Sequence, residues 1–162
     1  MIVLGIDPGT ARTGYGVIRV EGGRVSALAH GVITTGARED PGQRLSTIFE
    51  CVRALVAMHE PHAVALESLF VGANPQTVLG VGQARGAVLA ACGAAGVPSA
   101  EYAPSQVKQA VCGYGRADKG QVGFMVSRVL AMSEEPGTDH AADALAVAVC
   151  HAFSGTLQVR SA

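Results

Sequence analysis

Residues 2–6, Ile-Val-Leu-Gly-Ile, form an unbroken apolar run that stops at Asp7-Pro8-Gly9-Thr10. A run this short, closed by an acid and a Pro-Gly turn signal, reads as a buried strand whose carboxyl end carries a carboxylate. A strand apolar on both faces needs covering layers above and below it, so the remaining chain must supply a sheet and helices. The 162 residues are enough for one such domain, and a composition of 49% hydrophobic and 15% charged residues can fill its core.

Later segments supply those layers. Residues 14–20 and 25–35 are enriched in β-branched side chains and separated by Gly22-Gly23, which predicts two more strands in an antiparallel meander. Leu45, Ile48, Val52, Leu55 and Val56 recur at three and four residues, so a helix is expected from 44 to about 58. A short apolar strand over 63–66 ends at Glu67, and an Ala- and Gly-rich helix follows over 75–95. Residues 99–103 read as a fifth strand, and Pro104 opens a helix at its first turn. Residues 112–115 form a loop, and two further helices are expected over 122–132 and 141–153. The fold class is therefore α/β: a five-stranded mixed sheet, three antiparallel strands leading into parallel ones, with helices on both faces. No linker or repeat divides the chain, and residues beyond about 154 are expected to be peripheral.

Several function classes drop out. No apolar run reaches the roughly 20 residues of a spanning helix, and the start of the chain, with an acid at position seven and no cationic leader, does not read as a signal peptide. A cytoplasmic protein without a membrane partner is expected. Cys51, Cys92, Cys112 and Cys150 lie far apart with no CxxC pair, which suits small buried thiols in a reducing compartment. A net charge of -1 gives no global basic signature for nucleic acid. Yet the chain has only two lysines beside ten arginines, and Lys108 and Lys119 flank the same expected loop, so a local basic patch is open to it.

At the carboxyl ends of parallel strands side chains point into the crevice where ligands bind. If the strands ending at Asp7 and Glu67 are neighbours, the two carboxylates meet and repel, and a divalent cation such as Mg²⁺ or Mn²⁺ is the usual way to hold such a pair. The bland alternative is that each acid caps a strand end in solvent. Further along, Thr138 is a candidate N-cap, and both His140 with Asp143 and Asp139 with Asp143 share a helix face. The rest of that helix is almost all Ala, Leu and Val, so Asp143 needs a partner, of which a metal is one candidate. Asp139 is explained by the helix dipole. The same helix terminus disfavours protonation of His140, leaving it competent as a ligand or base.

Six blocks occur in one order: G-I-D-P-G-T at 5–10, T-G-Y-G at 13–16, A-L-E-S-L-F at 65–70, G-Q-A-R-G at 82–86, Q-V-K-Q at 106–109 and H-A-A-D-A-L at 140–145. Together, over about residues 2–153, they resemble the RuvC-type crossover junction endodeoxyribonucleases, which resolve Holliday junctions. The resemblance implies an RNase H-like fold, a homodimer, and a Mg²⁺-dependent acidic cluster that nicks two strands of like polarity symmetrically, leaving 5'-phosphate and 3'-hydroxyl ends. By position, the family's catalytic carboxylates fall on Asp7, Glu67 and Asp143. The fourth position, often Asp in the family, is His140 here, a softer and neutral ligand that would shift preference toward Mn²⁺; Asp139 is the alternative contributor. Two metals about 3.5–4 Å apart would activate water, neutralise the phosphate and support the leaving oxygen, with Asp7 bridging, Glu67 on one ion and Asp143 with His140 on the other.

The resemblance further implies DNA contacts by Lys108 and Lys119 near the scissile phosphate, by Arg85 on the backbone, and by Phe70 stacking on unpaired bases. Tyr114, between Gly113 and Gly115, is ambiguous. RuvA and RuvB, the branch-migration proteins, are the partners that family analogy suggests. Three rival readings remain: an actin- or sugar-kinase-like ATPase, for which 162 residues lack a second lobe; an RNase H-like nuclease that processes ribosomal RNA precursors; and a junction-binding module that has lost catalysis, which His140 encourages.

Overall fold

The computed structural model describes residues 1–68 and 75–159. The apolar run becomes β1 (Ile2–Asp7), which is followed by β2 (Arg12–Glu21) and β3 (Arg24–Thr34). The hairpin between β2 and β3 turns at Gly22 and Gly23, whose φ angles of 56° and 78° are the left-handed values that glycine adopts without strain. Then come α1 (Pro41–His59), β4 (Ala63–Glu67), α2 (Pro75–Ala94), β5 (Ser99–Tyr102), α3 (Pro104–Cys112), α4 (Lys119–Val129) and α5 (Asp139–Val159).

The sheet order is β3-β2-β1-β4-β5. β1 runs antiparallel to β2 and parallel to β4, and β5 extends the parallel half. β1 is thus the central strand, and Val3, Leu4 and Ile6 have no solvent exposure. Its side chains divide by strand alternation between two cores. On one face Leu4 and Ile6 join Val17, Val64 and Leu66 beneath Ile48 and Val52 of α1 and Val88 of α2. On the other, Val3, Ile18 and Ala65 pack under Val107 of α3, Val126 of α4 and Leu145 and Val149 of α5. Helices therefore cover both faces, as the sequence predicts. Among the described residues no helix is long and apolar enough to cross a membrane.

Three helices differ from the ranges that periodicity predicts; the starts of α1 and α4 do so because capping chemistry reaches past the apolar stripe, and α4 also ends at Val129, short of the expected 132. α1 begins at Pro41, where Asp40 accepts the amides of Gly42 and Gln43 and proline takes the first helical position. α4 begins at Lys119, because Asp118 and Gln121 form a reciprocal capping box. α5 begins at Asp139 and continues to Val159, beyond the expected end at 153.

Candidate active site

Because β1 and β4 pair in parallel with Ile6 opposite Leu66, Asp7 and Glu67 emerge side by side at one rim of the sheet. Asp7 lies two residues beyond Gly5 and Glu67 two beyond Ala65, so by strand alternation both carboxylates leave the α5 face. The turn after Asp7 is tied back to the sheet. The fully buried Thr13 donates its hydroxyl to the Gly9 carbonyl at 2.7 Å and accepts the Gly9 amide at 3.3 Å. Thr35 donates to the carbonyl of Thr10 and accepts from Arg44 Nε at 3.0 Å.

α5 reaches this rim because the strands beneath it carry glycine. Gly5 pairs with Gly16, and Gly14 sits opposite Asp7. A Cβ at Gly14 would come within 1.9 Å of the His140 carbonyl oxygen, one at Gly5 within 1.9 Å of the Ala144 carbonyl oxygen, and one at Gly16 within 2.7 Å of the Leu145 side chain. The helix backbone therefore rests directly on the strand backbones. Thr138 starts it, its hydroxyl accepting the Ala141 amide at 3.2 Å. This close seat brings His140 Nδ1 to 2.7 Å from Asp7 Oδ2. The glycine floor escaped the sequence reading, although Gly5, Gly14 and Gly16 within β-branched strands were its signal.

The rim concentrates negative charge. The carboxyl of Glu67 is pushed up to about 7, first by burial and then by the charges of Asp143 and Asp7, with Lys108 and Lys119 partly offsetting them. Asp143 is likewise raised, by burial foremost and then by Asp7, while Lys119 pulls it back. Lys119 Nζ stands 3.8 Å from Asp143 Oδ2 with its own side chain largely in solvent. Asp139 also raises Asp143, and both line a recess of about 90 Å³ between the starts of α4 and α5. Of the two candidates for the fourth position, His140 is the one in contact with Asp7.

The other expected contacts divide. Lys108 and Lys119 both act on the acidic rim. Arg85, on α2, is instead paired with Glu101 of β5, with its side chain 22% exposed, and would have to release that partner to reach a phosphate. Phe70 lies outside the described residues. The four cysteines are free, Cys92 and Cys150 buried and Cys51 and Cys112 partly so.

Among the described residues no three His, Cys, Asp or Glu side chains stand close enough together to hold a metal ion by themselves. An open rim of hard oxygen donors is nevertheless what Mg²⁺ prefers, since it keeps several waters and takes only one or two carboxylates. Mutual repulsion and burial, which hold Glu67 near neutrality in its titration, also mark a site short of positive charge. The donor set therefore fits a divalent cation.

Acidic side chains at the ends of two adjacent parallel strands, joined by a carboxylate and an imidazole from a helix laid across a mixed five-stranded sheet, are the arrangement of a nuclease of the RNase H-like class. The family model described as "Crossover junction endodeoxyribonuclease RuvC" matches residues 3–151. A RuvC from Heliobacterium modesticaldum is 54% identical over 156 residues, covering 96% of each chain. The Thermus thermophilus RuvC structure superposes with a TM-score of 0.91 at 40% identity, covering 98% of this chain and 97% of that one. The same Thermus protein in complex with a Holliday junction substrate superposes at 0.89, with 39% identity and coverage of 97% and 96%. The chain belongs to the RuvC family of crossover junction endodeoxyribonucleases.

Proposed function

We propose that this protein resolves Holliday junctions in recombination and repair by nicking two strands of like polarity at symmetric positions, leaving 5'-phosphate and 3'-hydroxyl ends. The observation that carries the reading is the meeting of Asp7, Glu67, Asp143 and His140 at one rim with two lysines acting on it, in a chain of this family. Nucleases of the family are metal-dependent. Asp7 on the central strand would hold the divalent metal together with Glu67, Asp143 and His140. Bound divalent ions supply an activated water and neutralise the phosphate. Mg²⁺ suits the carboxylates, and the imidazole makes Mn²⁺ at least an effective substitute.

The protein's own groups then have distinct tasks. Thr13 and Thr35 fix the turn behind Asp7 so that its carboxylate does not swing with the loop. The glycine floor fixes the height of His140 and Asp143 above the sheet. Lys119, exposed and close to Asp143, is free to exchange that carboxylate for a phosphate oxygen as the strand arrives. Lys108 adds positive potential beside Glu67, and Phe70 would stack on bases unpaired at the crossover. Symmetric cleavage needs two such sites, hence a homodimer. RuvA and RuvB are the proposed partners by family analogy.

The deciding experiment is cleavage of an end-labelled four-way junction against linear duplex of the same sequence, in Mg²⁺, Mn²⁺ and EDTA. Paired nicks confined to the junction, dependent on metal and lost in Asp7→Asn, are expected. Binding without cutting in either metal would leave a junction-binding module, and absence of junction binding would favour a different nucleic acid.

A further inference from the structure

The chain has only three Tyr and four Phe, yet Tyr114 and Phe124 are 46% and 51% exposed. They share one groove of about 240 Å³ with Cys112, Gln121 and Met125. It lies where the loop after α3 meets the outer face of α4, and none of its lining residues is charged. Around it the side chains are cationic. Arg128 holds its guanidinium 5.7 Å from the Phe124 ring centroid, and Arg116 is exposed on the same loop as Tyr114. The acid of that loop, Asp118, is engaged in capping α4 through the Gln121 amide at 2.9 Å.

The groove and the catalytic rim share helix α4. Lys119, which stands by Asp143, opens the helix that carries Phe124 five residues on, about 7.5 Å along the axis at 1.5 Å per residue. Lys108 and Cys112, a lining residue of the groove, lie four residues apart on α3 and so share a helix face. A strand whose phosphate lies at the acids and whose backbone follows these lysines is led onto two exposed rings. Aromatic faces and guanidinium planes are the surfaces on which unpaired bases stack, and nearby cations hold the intervening phosphates.

We propose that Tyr114 and Phe124 form a nucleobase-stacking platform that receives an unpaired base of the junction strand as it leaves the active site, with Arg116 and Arg128 securing its backbone. The inference rests on the resolvase reading and gives that site a further DNA contact, one that sets affinity rather than the rate of bond breaking.

The test measures junction binding by fluorescence anisotropy, and single-turnover cleavage over a range of protein concentrations, for wild type, Tyr114→Ala, Phe124→Ala, Tyr114→Phe and the double alanine variant. Each alanine is expected to weaken junction binding about tenfold, the double variant further, with the saturating cleavage rate within about twofold of wild type. Tyr114→Phe should bind as wild type does, because stacking needs the ring and not the hydroxyl. Unchanged melting temperatures, expected for exposed rings, would exclude a folding defect. Wild-type affinity in the double variant would overturn the platform while leaving the resolvase reading intact. So would a loss confined to the saturating rate. If wild-type protein itself ignores the four-way junction, the functional reading fails and the platform with it.

Discussion

His140 Nδ1 lies 2.7 Å from Asp7 Oδ2, so the first turn of α5 is latched to the end of the central strand. The contact joins two candidate metal ligands that are more than 130 residues apart in sequence. Asp7→Asn keeps the size and hydrogen-bonding capacity of the side chain while removing its charge. Junction cleavage should fall by roughly a thousandfold, about 4 kcal/mol in the barrier, with junction affinity within a few fold of wild type. Single-turnover cleavage beside anisotropy binding separates the two, and normal cutting by the variant would sink the ligand assignment.

His140→Asp tests whether the imidazole sets the metal. A carboxylate at this position presents a harder donor, so the ratio of cleavage rates in Mn²⁺ and Mg²⁺ should move toward Mg²⁺. The same change adds a negative group to a rim already burdened by Asp7, Glu67 and Asp143, so the melting temperature in EDTA should drop. A variant with an unaltered metal ratio would show that His140 does not contact the ion.

Glu67 makes the metal-free protein respond to pH in the direction opposite to an ordinary paired carboxylate. Its folded-state pKa of about 7 exceeds the ordinary 4.5, through burial first and then the charges of Asp143 and Asp7. The folded state therefore binds this proton more tightly than the unfolded chain. The resulting stability is fully present below the unfolded value and is lost as pH rises through the folded one. In EDTA, wild type should lose melting temperature between pH 5 and 7.5 relative to Glu67→Gln, and the variant should be the more stable at neutral pH. Adding Mg²⁺ at pH 7.5 should stabilise wild type more than the variant, since the variant offers the ion one carboxylate fewer. Parallel melting curves across that pH range would refute the account.

What was legible in the sequence follows from what each signal measures. Apolar runs report burial, so β1, β4 and the core stripe of α1 were readable, and the acids that end the strands were located with them. Periodicity is blind to polar first turns, which is why the starts of α1 and α4, set by Asp40 and Asp118, fell outside the expected ranges. Gly5, Gly14 and Gly16 fall inside the family blocks, which give no reason for them. That reason is an approach of strand and helix backbones that no one-dimensional pattern encodes. Arg85 shows the converse. Its motif suggests a phosphate contact, whereas in three dimensions Glu101 on a neighbouring strand has already claimed the guanidinium.

The glycine floor gives the last prediction. A methyl group at Gly14 would sit 1.9 Å from the His140 carbonyl oxygen, with the His140 Cβ only 3.0 Å away. Neither neighbour is a flexible side-chain end that can turn aside, so the start of α5 must lift from β2. Overpacking of this kind costs about 1–3 kcal/mol, and Gly14→Ala should lower the unfolding free energy by that order in urea. The functional loss should be larger than that cost alone explains. Lifting the helix withdraws His140 and Asp143 from Asp7 and Glu67, and a misplacement of about 1 Å in a reacting constellation can reduce rate by roughly a hundredfold. The loss should persist at temperatures where the variant is fully folded, with junction affinity largely retained, because Lys108, Tyr114 and Phe124 lie on other elements. Gly93→Ala is the control: its new methyl meets nothing within 4 Å, and a helical Gly-to-Ala change should raise stability by about 0.5–1 kcal/mol without touching cleavage. A Gly14→Ala protein that cuts junctions at the wild-type rate would mean that the height of α5 above the sheet does not govern the site.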